Sequence, residues 1–286
     1  RRGWLNRCNE GTRIMLKLYI SPNSICTQKV LITLDEKSLD YEPVVINLFT
    51  NEQYDPAYLK LNPKGVVPTL VHDDHVIPES SLICEYLDEV FPEVPLVPVD
   101  AYQKTRMRMW SKLIDEQIFE ATREISFSAH FRTRMQGMSE EQRQTRFNNV
   151  GDPERTARYT EIFEKGTDSH YMLESVADYE KAFKKMEADL GTGGGPWLLG
   201  ADYSLADINM IPYVGRLEFL NLLDIWLQER PLTRAWWALA LERPSTNAAI
   251  RAPMADKDWE DMQKYGGQLR GEITRIRDDY LAGLSH

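Results

Sequence analysis

The sequence predicts two unlike parts: a small mixed α/β domain of order β-α-β-α-β-β-α, and after it an all-α helical-bundle domain. Three observations predict this. Residues 15–91 alternate short β-rich runs with runs of helical period, and each such helix must bury its stripe against a shared sheet. Pro92, Pro95 and Pro98 then punctuate the chain, each biasing its predecessor away from helix. Beyond residue 101 only helical periodicity remains. The expected division is 15–92 for the sheet domain, 93–100 for the linker and 101–286 for the helical domain, with a long insert at about 132–175. Residues 1–14 carry four Arg and one Glu without an apolar run, and read as an appended extension or tag.

Taken in order, 16–20 reads as a strand and 24–37 as a helix with Val30, Leu31 and Leu34 on one face. Residues 41–47 form a second strand. Residues 57–61 give at most a short helix, bounded by Asn62-Pro63 and Gly65. Residues 67–72 and 75–77 flank Asp73-Asp74 as a hairpin, and 80–90 is a helix stopped near Pro92. The helical part begins with a long pattern over 101–130 and continues over 176–190. A break at 191–196 precedes a helix opening at Ser204, and helices over 233–241 and 256–281 follow. The stretch 137–175 is polar with scattered helical pattern and reads as an elaborated connection between helices.

Of 286 residues, 34 are Lys or Arg and 44 are Asp or Glu, a net charge of −10. This balance argues against a nucleic-acid surface, which needs a positive stripe. No apolar run reaches the roughly 18 residues of a membrane span. Three cysteines, at 8, 26 and 84, lack C-x-x-C spacing. They argue against a disulfide framework and a metal site, and for the reducing cytoplasm. The acidity concentrates in residues 15–100, where 5 basic and 14 acidic residues give −9. An anionic ligand there could meet only Lys17, Lys29, Lys37, Lys60 and Lys64.

Three pieces of the first domain should converge at one sheet edge. Ser24-Ile25-Cys26 opens the first helix, where unpaired N–H groups and the dipole favour a thiolate; Ser24 as a plain helix cap is the simpler alternative. Gly65-Val66-Val67-Pro68-Thr69 opens a strand with a proline, which suits an edge or a cis turn and leaves backbone free for an extended peptide. Pro78-Glu79-Ser80-Ser81 sets a carboxylate beside a hydroxyl at a positive helix end, able to hold an amino-acid head group or merely to cap.

Their order and spacing carry a resemblance. S-x-C at 24–26, L-N-P-K-G-V-V-P-T-L at 61–70 and E-S-S at 79–81 resemble the thioredoxin-like domain of cytosolic glutathione transferases. The run Gly200-Ala-Asp-Tyr-Ser-Leu-Ala-Asp-Ile208 resembles the family's helix-start motif, physically a capping box of Ser204 and Asp207. Arg230-Pro231 and Arg243-Pro244-Ser245 resemble its late helices. The resemblance spans about residues 15–255 and implies the glutathione transferase architecture, a homodimer, and glutathione as co-substrate without a metal. It implies that Val67 pairs its backbone with glutathione, with Pro68 cis. Glu79 and Ser80 would hold the γ-glutamyl end, Gln53 the glycine carboxylate, and Ser24 would lower the pKa of the sulfur.

Two branches of the family compete. Ser24-Ile25-Cys26 and 64–70 resemble the tetrachlorohydroquinone reductive dehalogenases, which implies that Cys26 takes glutathione into a mixed disulfide. Asn23-Ser24, Met138-Ser-Glu-Glu141 and Asp152-Pro153-Glu154-Arg155 resemble the bacterial β-etherases of lignin, in which the glutathione thiolate displaces an aryloxy group; the longer match favours this branch. A hydrophobic aromatic substrate is expected between the domains. Phe119, Phe127, His130 and Phe131, with Tyr213, Arg216 and Phe219, are candidates to face it, although aromatic stripes commonly serve as core. Arg216 should find Glu218, Asp207 or a substrate anion. A transferase-fold binding protein without turnover is the alternative of another class.

Overall fold

The computed structural model describes residues 16–148 and 153–284, so the leading segment 1–14 and Asp152 lie outside the described residues. Strand β1 (Leu16–Ile20) turns into helix α1 (Ile25–Glu36), followed by β2 (Glu42–Val45) and α2 (Pro56–Leu59). Then come β3 (Thr69–His72), β4 (His75–Ile77) and α3 (Ser80–Val90). The sheet order is β2-β1-β3-β4, with β1 parallel to β2 and antiparallel to β3. Leu16, Leu18 and Ile20 alternate inward along β1, the period of a sheet with one buried face. The hairpin forms at Asp73-Asp74 and pairs His72 with His75.

The helical domain begins with one long rod. Helices α4 (Ala101–Leu113), α5 (Phe119–Ser126) and α6 (Arg132–Gln136) run on through π-helical turns at Ile114–Ile118 and Phe127–Phe131. The period-3.6 pattern cannot reveal a π turn, because one inserted residue only rotates the stripe. Helices α9 (His170–Thr192), α10 (Leu205–Phe219), α11 (Asp224–Leu227), α12 (Pro231–Glu242), α13 (Pro244–Ile250) and α14 (Asp256–Gly283) complete the domain. Helix α10 is buried nearly all round and forms its centre. Between α9 and α10, Gly195 passes so close to Gly200 that a Cβ would lie 2.4 Å from the Gly200 carbonyl.

The stretch 137–175, expected as a polar connection with scattered helical pattern, is built largely of helix among its described residues. It holds two helices, α7 (Glu140–Asn148) and α8 (Pro153–Lys165), and α9 starts earlier than expected, capped by Ser169. The insert is polar because each helix buries little; Phe147 and Ile162 meet Phe127 and Met135 in a small core of their own. Among the described residues, no helix is long and apolar enough to cross a membrane.

Candidate active site

Ser24 is the N-cap of α1, and its Oγ accepts from the Thr27 N–H at 3.3 Å. An accepting hydroxyl keeps its proton, so the same group that caps the helix can also donate to a sulfur. The residue before it is fixed from the other domain. Arg216 Nη2 donates to both the carbonyl oxygen and the Oδ1 of Asn23, each at 2.7 Å.

Opposite this turn, the Val67-Pro68 bond is cis. Val66 O accepts from Tyr58 Oη at 2.6 Å and from Asn62 Nδ2 at 2.9 Å, which anchors the loop from behind. Val67 precedes β3, and its backbone polar groups make no hydrogen bond among the described residues. Gly65 has φ +58°, and a Cβ there would lie 2.9 Å from the Tyr54 ring and 3.2 Å from Gln53 O. The glycine thus lets the Gln53 turn pack against the proline loop. Gln53 is buried, with Oε1 lacking a partner.

Glu79 is the N-cap of α3, yet its side chain makes no capping bond. It meets Lys64 at 2.6 Å instead, an exposed pair worth little in stability. Its carboxylate thus faces the Lys64 ammonium rather than the helix N–H groups. Ser80 begins α3 and is buried. The following hydroxyl, Ser81, has another use: it accepts from Lys29 Nζ at 2.9 Å and donates to Asp115 at 3.0 Å.

The Cys26 thiol is half-buried and turned toward helix α10, with Tyr213 Oη 3.8 Å away. Burial pushes its pKa up, and the Lys29 charge and the Tyr213 and Ser80 hydroxyls only partly offset this. Burial likewise drives the Tyr213 phenol well above its usual value.

The structure brings Asn23, Ser24, Cys26, Ser80, Tyr213 and Arg216 to the joint between the domains. The other aromatic candidates divide. Phe127 is buried in the small core of the insert against Tyr159, and Phe219 packs on Trp259. His130 is buried edge-on to Phe131, and Phe119 lies under Arg123. Half-exposed Phe131 meets Phe49 at 6.1 Å between ring centroids, bringing the loop after β2 against the second π turn. Nothing in the sequence pattern marked Phe49.

Two expectations about charge are corrected. Arg216 pairs with neither carboxylate proposed for it, since Glu218 accepts from Trp237 and Asp207 from Leu198, Ser204 and Trp236. Of the five lysines, Lys29 and Lys37 are buried in ion pairs with Asp115 and Asp88, and Lys17 and Lys64 pair with Glu42 and Glu79. Lys60 alone of the five makes no ion pair with a described residue. Lys29 and Lys37 thus serve the fold, while Lys17, Lys60 and Lys64 remain at the surface.

A four-stranded thioredoxin-like sheet with a cis-proline loop, a helix N-terminus at Ser24 and a helical domain behind it define a two-domain fold, thioredoxin-like then all-α. Residues 18–95 match the family model "Glutathione S-transferase, N-terminal domain", and residues 153–238 match "Glutathione S-transferase, C-terminal domain". The chain is 34% identical to protein LigF of Sphingobium sp. (strain NBRC 103272 / SYK-6) over 257 residues, 87% of this chain and 96% of that protein. It is 26% identical to the tetrachloro-p-hydroquinone reductive dehalogenase of Sphingobium chlorophenolicum, over 83% of this chain and 96% of that one. The crystal structure of β-etherase LigF from Sphingobium sp. strain SYK-6 superposes with a TM-score of 0.72 at 30% identity, covering 82% of this chain and 98% of that one. The chain belongs to the glutathione S-transferase family.

Proposed function

We propose that this protein is a glutathione-dependent transferase of the β-etherase kind. The near full-length similarity to LigF, described as a β-etherase, is the observation that carries the reading. The site residues fit glutathione. Val67 offers an unused backbone edge beside the cis proline, and Glu79 a carboxylate that makes no capping bond at a helix start. Among the described residues, no group of three His, Cys, Asp or Glu side chains converges as metal ligands.

In this reading the Ser24 hydroxyl donates to the glutathione sulfur, and the thiol proton leaves to solvent. The helix N-terminus adds positive potential at the same point. The thiolate attacks the carbon bearing the aryloxy group. A C–S bond forms, the C–O bond breaks with its electron pair on oxygen, and the phenolate takes a proton from water. The alternative, a mixed disulfide at Cys26, needs a thiolate that burial disfavours there. Exposed Leu82 on α3 and Tyr102 and Met109 on α4 support the homodimer as well; sedimentation as a monomer would remove that part.

The test is a panel of β-aryl ethers, halogenated hydroquinones and a chloronitroarene, each with glutathione and assayed for released product. The reading expects a phenol and a glutathione thioether from an aryl ether. Turnover of only the halogenated hydroquinones, with glutathione trapped on Cys26, would replace it with the dehalogenase chemistry. Failure to bind glutathione at all would leave a binding protein of the same fold.

A further inference from the structure

Arg216 is 4% exposed, and among the described residues it has no carboxylate partner. A buried cation ordinarily pairs with an anion, because the desolvation of an unpaired one costs several kcal/mol. Here the guanidinium meets only neutral groups. From the β1–α1 turn it meets the two oxygens of Asn23, from α5 the Ser126 Oγ at 3.4 Å, and from α9 the Tyr179 phenol lies nearby. Its Nε has no partner. Burial pulls its pKa down to about 10, so it stays charged at neutral pH.

The uncompensated charge sits against the residue that precedes Ser24. We infer that Arg216 is a positioning residue that fastens the Asn23-Ser24 turn to α10 and supplies the buried countercharge for a glutathione thiolate held at Ser24. This rests on the glutathione reading above. The thiol proton leaves to solvent and no bond forms at Arg216; the cation lowers the thiol pKa because the anion now completes a pair that the resting protein lacks.

The other groups around the sulfur site do not supply that charge. Lys29 already faces Asp115, and Lys64 faces Glu79. Cys26, Tyr213 and Tyr179 all have pKa values raised by burial and stay neutral at neutral pH. A tyrosine or cysteine anion therefore does not occupy the place left for the thiolate.

The experiment titrates the thiol of bound glutathione by thiolate absorbance in the wild type and in Arg216→Met, Arg216→Gln and Arg216→Lys, with glutathione affinity and melting temperature measured alongside. Arg216→Met is included because replacing a buried charge by an apolar chain of similar length is often neutral for stability. Both neutral variants are expected to raise the thiol pKa by about one unit, with kcat/KM near neutral pH falling about tenfold and recovering at high pH. Arg216→Lys, which keeps the charge, is expected to stay near the wild type. A thiol pKa unchanged in a folded neutral variant, or loss of fold in both neutral variants, assigns Arg216 to structure alone and overturns the inference. The wild-type arm separates the two claims, because a wild type that binds no glutathione overturns the glutathione reading itself.

Discussion

At the residue scale, the two chemically interesting positions of α1 have opposite fates. Ser24 caps the helix and still has a proton to donate, so the simple reading of a cap and the functional one are compatible. Cys26, two residues further on, is held by burial in its thiol form beside Tyr213. Substituting Cys26→Ser keeps a hydroxyl beside the Tyr213 phenol and is expected to leave kcat/KM within about threefold of the wild type. A loss of two orders of magnitude, measured on the same aryl ether, would instead place Cys26 in the reaction. Both side chains were legible in the sequence as a pair after the first strand. Their division of labour was not, because it depends on what α10 places above each of them.

At the scale of elements, caps and turns were the most legible features. The Ser204 and Asp207 capping box opens α10 as its spacing predicts. Asp207 does more than the box requires. It also accepts from the Leu198 N–H at 2.9 Å and from Trp236 Nε1 at 2.8 Å, tying α12 and the glycine segment to the start of α10. Asp207→Ala strands four buried donors, the Leu198 and Ser204 N–H groups, the Ser204 hydroxyl and Trp236 Nε1, and is expected to cost about 3 kcal/mol in urea unfolding. Burial raises the Asp207 carboxyl from 3.8 to about 6, so between those values the folded state binds the proton more tightly than the unfolded chain. Through this group, stability falls as pH rises across that window and is level above it. Asp207→Asn should remove that slope, read as the wild-type minus variant difference in urea midpoint against pH. The helices of the insert were the least legible elements, since Phe147 of α7 and Ile162 of α8 are buried in a core that closes against Phe127 on a different helix.

At the scale of the whole molecule, polar contacts join the two domains along α1. Lys29 reaches Asp115 on the long rod, and Glu36 accepts from Arg243 and Ser245 at the start of α13. Arg216 grips the turn before Ser24. Long-range partners 86 to 209 residues apart leave no local signal in the sequence. Lys29 and Lys37, which looked free for a ligand, are therefore structural. Removing one partner of such a contact exposes its cost: Asp115→Ala leaves the Lys29 ammonium buried with the Ser81 hydroxyl and the Tyr213 ring but no counterion, and should destabilise the protein by about 2 kcal/mol, discounted for the half-exposed aspartate. Lys29→Met in the same background should recover part of that loss in urea unfolding, since no charge then remains buried. No recovery would mean that the joint is held by packing alone.

The central claim is that Ser24 lowers the pKa of bound glutathione, and the most direct measurement is the titration of the enzyme-bound thiol by thiolate absorbance in the wild type and in Ser24→Ala. The account predicts a wild-type pKa well below the roughly 8.5 of a free thiol. It also predicts a return toward that value in Ser24→Ala, with kcat/KM for an aryl ether falling by about two orders of magnitude near neutral pH. A bound thiol that titrates identically in both proteins would contradict it.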